Sequence, residues 1–163
     1  MVFVAGFCVS SGLACGCGGV PGETLEGLVA QAMKGSVAVF QGKVVGSEYR
    51  KGIFNEEGES SVNRAGVPDY KTQVIEFKVD LWWKGGAEPI TFLATGRTEL
   101  ADGRGTGNSC DYYFQEGETY LVFAHLDKRS NIFRNNPCSF TQLVKDGSAT
   151  LKLLGEGTLP NKK

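Results

Sequence analysis

The chain has 163 residues, five cysteines and a formal net charge of −1. This length suits a single domain with its own hydrophobic core. Without an excess of basic residues the surface has little charge to hold a phosphate backbone, so we expect no nucleic-acid partner. The 23 glycines fall mostly between apolar runs, which favours a loop-rich β protein over a helical bundle.

Residues 1–14 carry no charge and run from an apolar stretch into small residues. This pattern is typical of the hydrophobic and cleavage regions of a signal peptide, and Gly12 and Ala14 suit a cut before Cys15. The basic start of such a peptide is missing, so we expect either a true start further upstream or a clipped sequence. The alternative is a buried N-terminal strand. The signal interpretation makes residues 15–163 an exported domain, secreted or held at the cell surface.

The cysteines support this cleavage site. A cut before Cys15 removes Cys8 and leaves an even number of cysteines, as disulfides in an exported protein require. A bridge between Cys15 and Cys17 is geometrically poor at that spacing. The two other pairings both join this N-terminal pair to Cys110 and Cys138 and close long loops. The residues alone leave both pairings open.

The predicted elements are an amphipathic helix, five strands and a weak second helix. In chain order they are the helix Glu23–Lys34, the strands Ser36–Glu48, Tyr70–Lys84, Glu88–Thr95 and Thr119–Leu126, a last strand from Ile132 and Phe133 towards Cys138, and the helix Ser148–Leu154. Gly42 predicts a bulge or bend in the first strand. The polar stretches Tyr49–Asp69 and Gly96–Ser109 are predicted as a mobile hairpin loop and a connector. Together these elements predict a mainly β fold, a five-stranded Greek-key barrel of the OB type with one or two short flanking helices.

Little in the sequence indicates catalysis. The single histidine, His125, ends an apolar strand and is more typical of a polar tip beside the core than of a ligand or base. No second histidine completes a zinc set, paired cysteines supply no thiolate, and no serine lies in a nucleophile-elbow motif. Gly103–Gly107 is glycine-rich but lacks the features of a phosphate-binding loop. We therefore expect neither an enzyme nor a bound cofactor or metal.

The cysteine motifs carry a family resemblance. Cys15-Gly16-Cys17 at a newly cut N-terminus, followed by Cys110 in Ser-Cys-Asp-Tyr-Tyr-Phe and Cys138 in Pro-Cys-Ser-Phe-Thr, resembles the inhibitory domain of the tissue inhibitors of metalloproteinases. Three further stretches are similar to strands of that family: Phe40–Val45, Trp83–Gly85 and Tyr120–Ala124. The resemblance spans roughly Cys15 to Gly157 and implies a netrin-like OB-fold domain.

The resemblance also implies a pairing and a mechanism. It pairs Cys15 with Cys110 and Cys17 with Cys138, and it implies that the α-amino group and carbonyl oxygen of Cys15 chelate the catalytic zinc of a protease. Such a zinc keeps one coordination position open. Gly16 would lie at the mouth of the protease's specificity pocket, and further contacts would come from Cys17, Thr106, Gly107, Asn108 and Ser109. Because glycine has no side chain, we expect weak and unselective inhibition.

Two alternatives remain open. The same domain could be a non-inhibitory binding or structural module outside the cytoplasm, with another extracytoplasmic protein as its partner. Cys15 could also carry a lipid, since Ser11–Cys15 has a small residue before the cysteine, although Gly12 stands where a lipobox usually has leucine. A lipid would occupy both the thiol and the amine of Cys15. Only in that case do we expect a membrane contact.

Overall fold

The computed structural model describes residues 22–53, 69–107, 111–135 and 138–162. Within these ranges the chain is mainly β, as predicted. The elements are α1 (Leu25–Gly35), β1 (Ala38–Lys51), β2 (Tyr70–Lys84), β3 (Ile90–Leu100), β4 (Gly105–Thr106), β5 (Thr119–Asp127), β6 (Ile132–Asn135), β7 (Gln142–Leu143) and α2 (Ser148–Leu154). Neither of these two helices has the length and apolar character needed to cross a membrane.

Five of the strands close into a ring. β1, β2 and β3 are consecutive antiparallel neighbours, and β5 returns to pair with the other edge of β1. β6 lies between β3 and β5, parallel to the former and antiparallel to the latter. Three consecutive strands with a fourth returning beside the first form a Greek key. The two short strands β4 and β7 attach to β3 and β5.

The ring encloses an aromatic core. The Phe40 ring packs against Phe77 and Trp82, with centroids 5.3 and 5.0 Å apart, and all three side chains are buried. Outside the ring, Leu121 and Phe123 of β5 are covered by residues of both helices. The apolar run in β5 is continuous because this strand is buried on both faces.

Helix α1 begins two residues later than predicted. Thr24 is its N-cap and accepts a hydrogen bond from the Gly27 amide at 3.2 Å, so Glu23 precedes the helix. At the other end, the Lys84 ammonium group donates to the Met33 carbonyl oxygen at 2.8 Å. Helix α2 and strand β2 have the predicted bounds.

The other strands differ from prediction at their ends. β1 begins at Ala38 and runs to Lys51, so the start of the predicted loop is strand, while residues 54–68 of that loop lie outside the described residues. The register between β1 and β2 shifts beside Gly42, but the extra residue there is Asp80 of β2, and the extra residue in β1 itself is Val45. β5 ends at Asp127, one residue later than predicted.

β3 differs most from prediction. It continues through Gly96 to Leu100 instead of ending at Thr95, so the first part of the predicted connector is strand. The strand bulges there, with Thr95, Gly96 and Arg97 opposite the single residue Gln73. β4 and β7 were not predicted, because two-residue strands carry no readable periodicity.

Candidate functional site

Most of the predicted contact and disulfide residues lie outside the described part of the chain. These are Cys15, Gly16, Cys17, Asn108, Ser109 and Cys110. Residues 1–14, predicted as a signal peptide, lie outside it as well. The structure does describe Thr106, Gly107 and Cys138. Cys138 is disulfide-bonded. Since the other cysteines lie outside the described ranges, its pairing with Cys17 stays a prediction.

Thr106 and Gly107 begin the predicted contact segment on a short hairpin. Thr106 pairs with Thr98 of β3, and the two hydroxyl groups are hydrogen-bonded to each other. Both Thr106 and Gly107 are exposed. The hairpin therefore presents the start of this segment to solvent on a regular strand.

Two glycines make room for the carboxylate of Asp111. A Cβ atom at Gly96 would lie 2.1 Å from one oxygen of Asp111, and a Cβ at Gly107 would lie 3.2 Å from the other. The carboxylate thus packs directly on the backbone of both glycines. Asp111 follows Cys110 in the sequence, so the segment that leaves this cysteine is fixed against β3 and beside Gly107.

The aromatic residues after Asp111 anchor the same segment. Tyr112 and Phe114 pack against Tyr120 of β5, with ring centroids 5.8 and 5.0 Å away. The Gln115 amide donates to the Tyr120 hydroxyl at 2.8 Å. Burial, reinforced by the neighbouring Tyr120, raises the pKa of Tyr112. These contacts hold residues 112–115 against β5 in the ring of strands.

Tyr113, between the two anchors, points outward and is 62% exposed. The Arg97 guanidinium lies 4.7 Å from the centre of its ring, and the Arg97 stem lies against Gly107. Arg97 Nε is buried and has no hydrogen-bond partner among the described residues. We call Arg97, Thr106, Gly107 and Tyr113 the Tyr113 patch. Tyrosine and arginine are enriched among the residues that dominate binding at protein interfaces.

Cys138 lies on the neighbouring part of the ring. It lines a cavity of about 170 Å³ together with His125 and the end of α1. His125 pairs with Arg134 of β6, which in turn pairs with Ala94 of β3. Cys138 lies beside β5 and Asp111 contacts Gly96 of β3, and these strands are two strand spacings apart, about 10 Å, with β6 between them.

His125 is half-buried at this position, as expected for a polar tip beside the core. No group of three or more potential metal ligands occurs among the described residues. A comparison of the sequence with protein-family models finds no match. A comparison with curated proteins also finds none.

Proposed function

We propose that this chain is an exported inhibitor of zinc metalloendopeptidases that binds the protease zinc through the amino group and carbonyl oxygen of Cys15. One observation carries the proposal. The exposed Gly107 and the Asp111 carboxylate that contacts it lie beside β3, and the disulfide-bonded Cys138 lies beside β5, with β6 between the two strands. Gly107 belongs to the segment that the family resemblance assigns to the protease, and Cys138 is one of the two cysteines to which the resemblance ties the N-terminus.

The fold supports the proposed relationship to the netrin-like domains. A five-stranded ring with a Greek-key connection is the arrangement of an OB-fold. We therefore propose an OB-fold barrel for residues 15–163, with residues 1–14 as the signal peptide that precedes it.

The spacing at the ring supports a double attachment of the N-terminus. Bridged cysteines have Cα atoms about 4.4 to 6.8 Å apart, and Cys15 and Cys17 lie at most about 7 Å apart along the chain. Two bridges can therefore reach from the N-terminus to β3 and to β5, which lie roughly 10 Å apart on either side of β6. The resemblance selects Cys15 with Cys110 and Cys17 with Cys138. A terminus held in this way would lose little freedom on binding zinc.

The Tyr113 patch supports a contact beyond the zinc. Gly16 offers no side chain to a specificity pocket, whereas Tyr113 presents a stacked aromatic ring beside Gly107. A stacked ring has few conformations left to lose when it binds a partner. The patch would therefore supply much of the affinity for the protease surface around the zinc.

The decisive experiment uses protein recovered from the exported fraction. Intact mass and N-terminal sequencing should give a chain that starts at an unmodified Cys15 and carries two disulfides. This protein should inhibit at least one member of a panel of zinc endopeptidases. A variant with one alanine before Cys15 should lose inhibition, because the extra residue moves the amine by about 3.8 Å. A matched variant with one alanine after Lys163 should keep it. Equal inhibition by both variants would contradict zinc chelation.

A second candidate is a non-inhibitory binding domain outside the cytoplasm, anchored by a lipid at Cys15. The exposed Tyr113 patch favours it equally, because this surface needs no free amine. An acylated Cys15 in the mass spectrum would support this candidate and exclude chelation. A free Cys15 terminus without inhibition of any protease in the panel would also favour it, without the lipid.

A further inference from the structure

A groove of about 610 Å³ lies between the end of β1, the start of β3 and the turn from β5 to β6. It shares no described residue with the Tyr113 patch or with the cavity at Cys138. Its volume falls in the range of sites for small molecules. The groove is therefore a candidate binding site separate from the proposed protease surface.

The floor and rim of the groove are apolar. Phe92 and Ile132 form the floor and pack on a small buried cluster that includes Ile53. Ile90 and Leu126 stand at the rim and are 38% and 37% exposed. Adjacent apolar side chains left open to water in a concave surface are typical of a binding site.

The wall of the groove is preformed. The Thr72 hydroxyl donates to the Ile53 carbonyl oxygen at 2.9 Å. Gly52 has a φ of +80°, which turns the chain at the end of β1 back over the sheet. A site that is already shaped loses little entropy when a ligand binds.

The charge at the groove is positive. The Arg50 guanidinium lies 4.3 Å from the centre of the Phe92 ring and is paired with Glu48. Lys51 is exposed and makes no ion pair within the described part of the chain. The described lining contains no carboxylate, and Asp127 at the adjacent end of β5 is already paired with Arg134. Lys51 is therefore the cation available to an anionic ligand.

We propose that this groove binds a linear amphiphilic anion, a hydrocarbon chain with a single carboxylate head, as in a fatty acid. The apolar floor accepts the hydrocarbon chain, and Lys51 pairs with the head group. The inference does not depend on the proposed protease inhibition, because the two surfaces share no described residue.

The test measures calorimetric binding of dodecanoate and of the uncharged dodecanol to the whole exported protein. Dodecanoate should bind about tenfold more tightly than dodecanol, as expected for one additional hydrogen-bonded ion pair. Lys51→Gln should abolish this difference. Lys43→Gln, an exposed lysine on the same strand outside the groove, should leave it intact. Failure of both probes to bind the unmodified protein, or an unchanged preference in Lys51→Gln, would overturn the proposal.

A second pair of variants tests the apolar part. Leu126→Asp should weaken the binding of both probes, whereas Leu159→Asp, at a 75% exposed site outside the groove, should not. Circular dichroism checks that both variants fold. If Leu126→Asp instead lowers the sedimentation mass and leaves dodecanoate binding unchanged, the groove is a contact between two copies of the chain and the proposal is wrong.

Discussion

Gly85 occupies a position in the turn after β2 where a side chain does not fit. Its φ is +79°, and a Cβ atom there would lie 2.1 Å from the Val37 carbonyl oxygen. At the next residue, Gly86, a Cβ atom would lie 2.5 Å from the Trp82 ring. The Trp82 indole donates to the Glu88 carbonyl oxygen at 2.9 Å, so the turn folds tightly over this side chain.

We predict that Gly85→Ala destabilises the protein by about 2 to 4 kcal/mol, because a left-handed backbone and a steric clash combine. Gly103→Ala is the matched control. Gly103 has a φ of +80° but open space around its Cα atom, so its replacement should cost only about 1 kcal/mol. Urea unfolding of both variants gives the comparison. Equal losses would mean that the clash at Gly85 is relieved by a movement of the backbone.

Tyr113 of the proposed protease surface is 62% exposed and therefore open to a partner. We predict that Tyr113→Ala weakens inhibition by about tenfold or more, since a stacked, exposed aromatic ring is typical of a binding hot spot. The thermal stability of the Tyr113→Ala variant should be unchanged. Tyr49→Ala removes a tyrosine that is 39% exposed on β1 and should leave inhibition unchanged. Inhibition constants against the most sensitive protease of the panel provide the measurement. Unaltered inhibition by the Tyr113 variant would exclude this residue from the interface.

At the scale of elements, the turn from β5 to β6 is built around one carboxylate. Asp127 accepts hydrogen bonds from the Arg129 amide at 2.9 Å, from the Ser130 hydroxyl and from Arg134 Nε at 3.2 Å. The Arg134 side chain is only 4% exposed. Burial by itself raises the pKa of Asp127, but these hydrogen bonds outweigh it and hold the pKa below its ordinary value.

This lowered pKa predicts a pH dependence. Since the pKa of Asp127 is lower in the folded state than in the unfolded state, its charge stabilises the fold at neutral pH, and this stabilisation is lost as the pH falls through the folded-state pKa. Asp127→Asn should therefore cost about 2 kcal/mol near neutral pH, and the difference from the unmodified protein should shrink in acid. Urea unfolding at pH values on either side of about 4 measures this. Asp80→Asn, at an exposed position on β2, should show neither effect. A constant difference across the pH range would contradict the assignment.

Sequence reasoning succeeded where local pattern decides the structure. The bounds of β2 were predicted because apolar and polar residues alternate along it and a Lys-Gly-Gly turn follows. β3 was predicted to end at Thr95 because Gly96 resembles the start of a loop. In the fold, Gly96 is required by the carboxylate of Asp111, which lies on its backbone. A contact between residues so far apart in sequence cannot be read from a local window.

The candidate site was predicted in the same partial way. The proximity of Gly107 to Asp111 follows from their closeness in sequence. Tyr113 was missed, although the run of three consecutive aromatic residues, Tyr112, Tyr113 and Phe114, offered a signal that one of them faces outward. The groove at Lys51 could not be predicted, because strands that are distant in the sequence supply its floor, rim and charge.

At the scale of the whole molecule, the C-terminal segment acts as a strap across the end of β2. Thr158 exchanges backbone hydrogen bonds with Trp82 at 2.7 and 2.8 Å. The Trp83 indole donates to the Gly155 carbonyl oxygen at 3.0 Å. The backbone amide of Asn161 donates to the Ala87 carbonyl oxygen at 2.7 Å. The strap therefore pairs with the backbone of Trp82 and lies against the indole of Trp83.

We predict that deletion of residues 155–163 destabilises the protein by about 2 kcal/mol or more, because several hydrogen bonds and the contact with the Trp83 indole are lost. Tryptophan fluorescence should move to longer wavelength in the same variant. Deletion of residues 162 and 163 alone is the control, since Lys162 makes no hydrogen bond within the described ranges. An unchanged emission spectrum in the longer deletion would show that the Trp83 indole is shielded without the strap.

The contact between β3 and β6 gives the ring one weak seam. Only two residue pairs join these strands, whereas the other seams of the ring are longer. Arg134 crosses this seam, with its guanidinium 3.5 Å from the Thr95 carbonyl oxygen on one side and paired with Asp127 on the other. The three-stranded meander β1–β3 can form from neighbouring segments, so this seam is expected to close last during folding. It should also be the first to open in the native protein, and amide hydrogen exchange should therefore be faster in β6 than in β2.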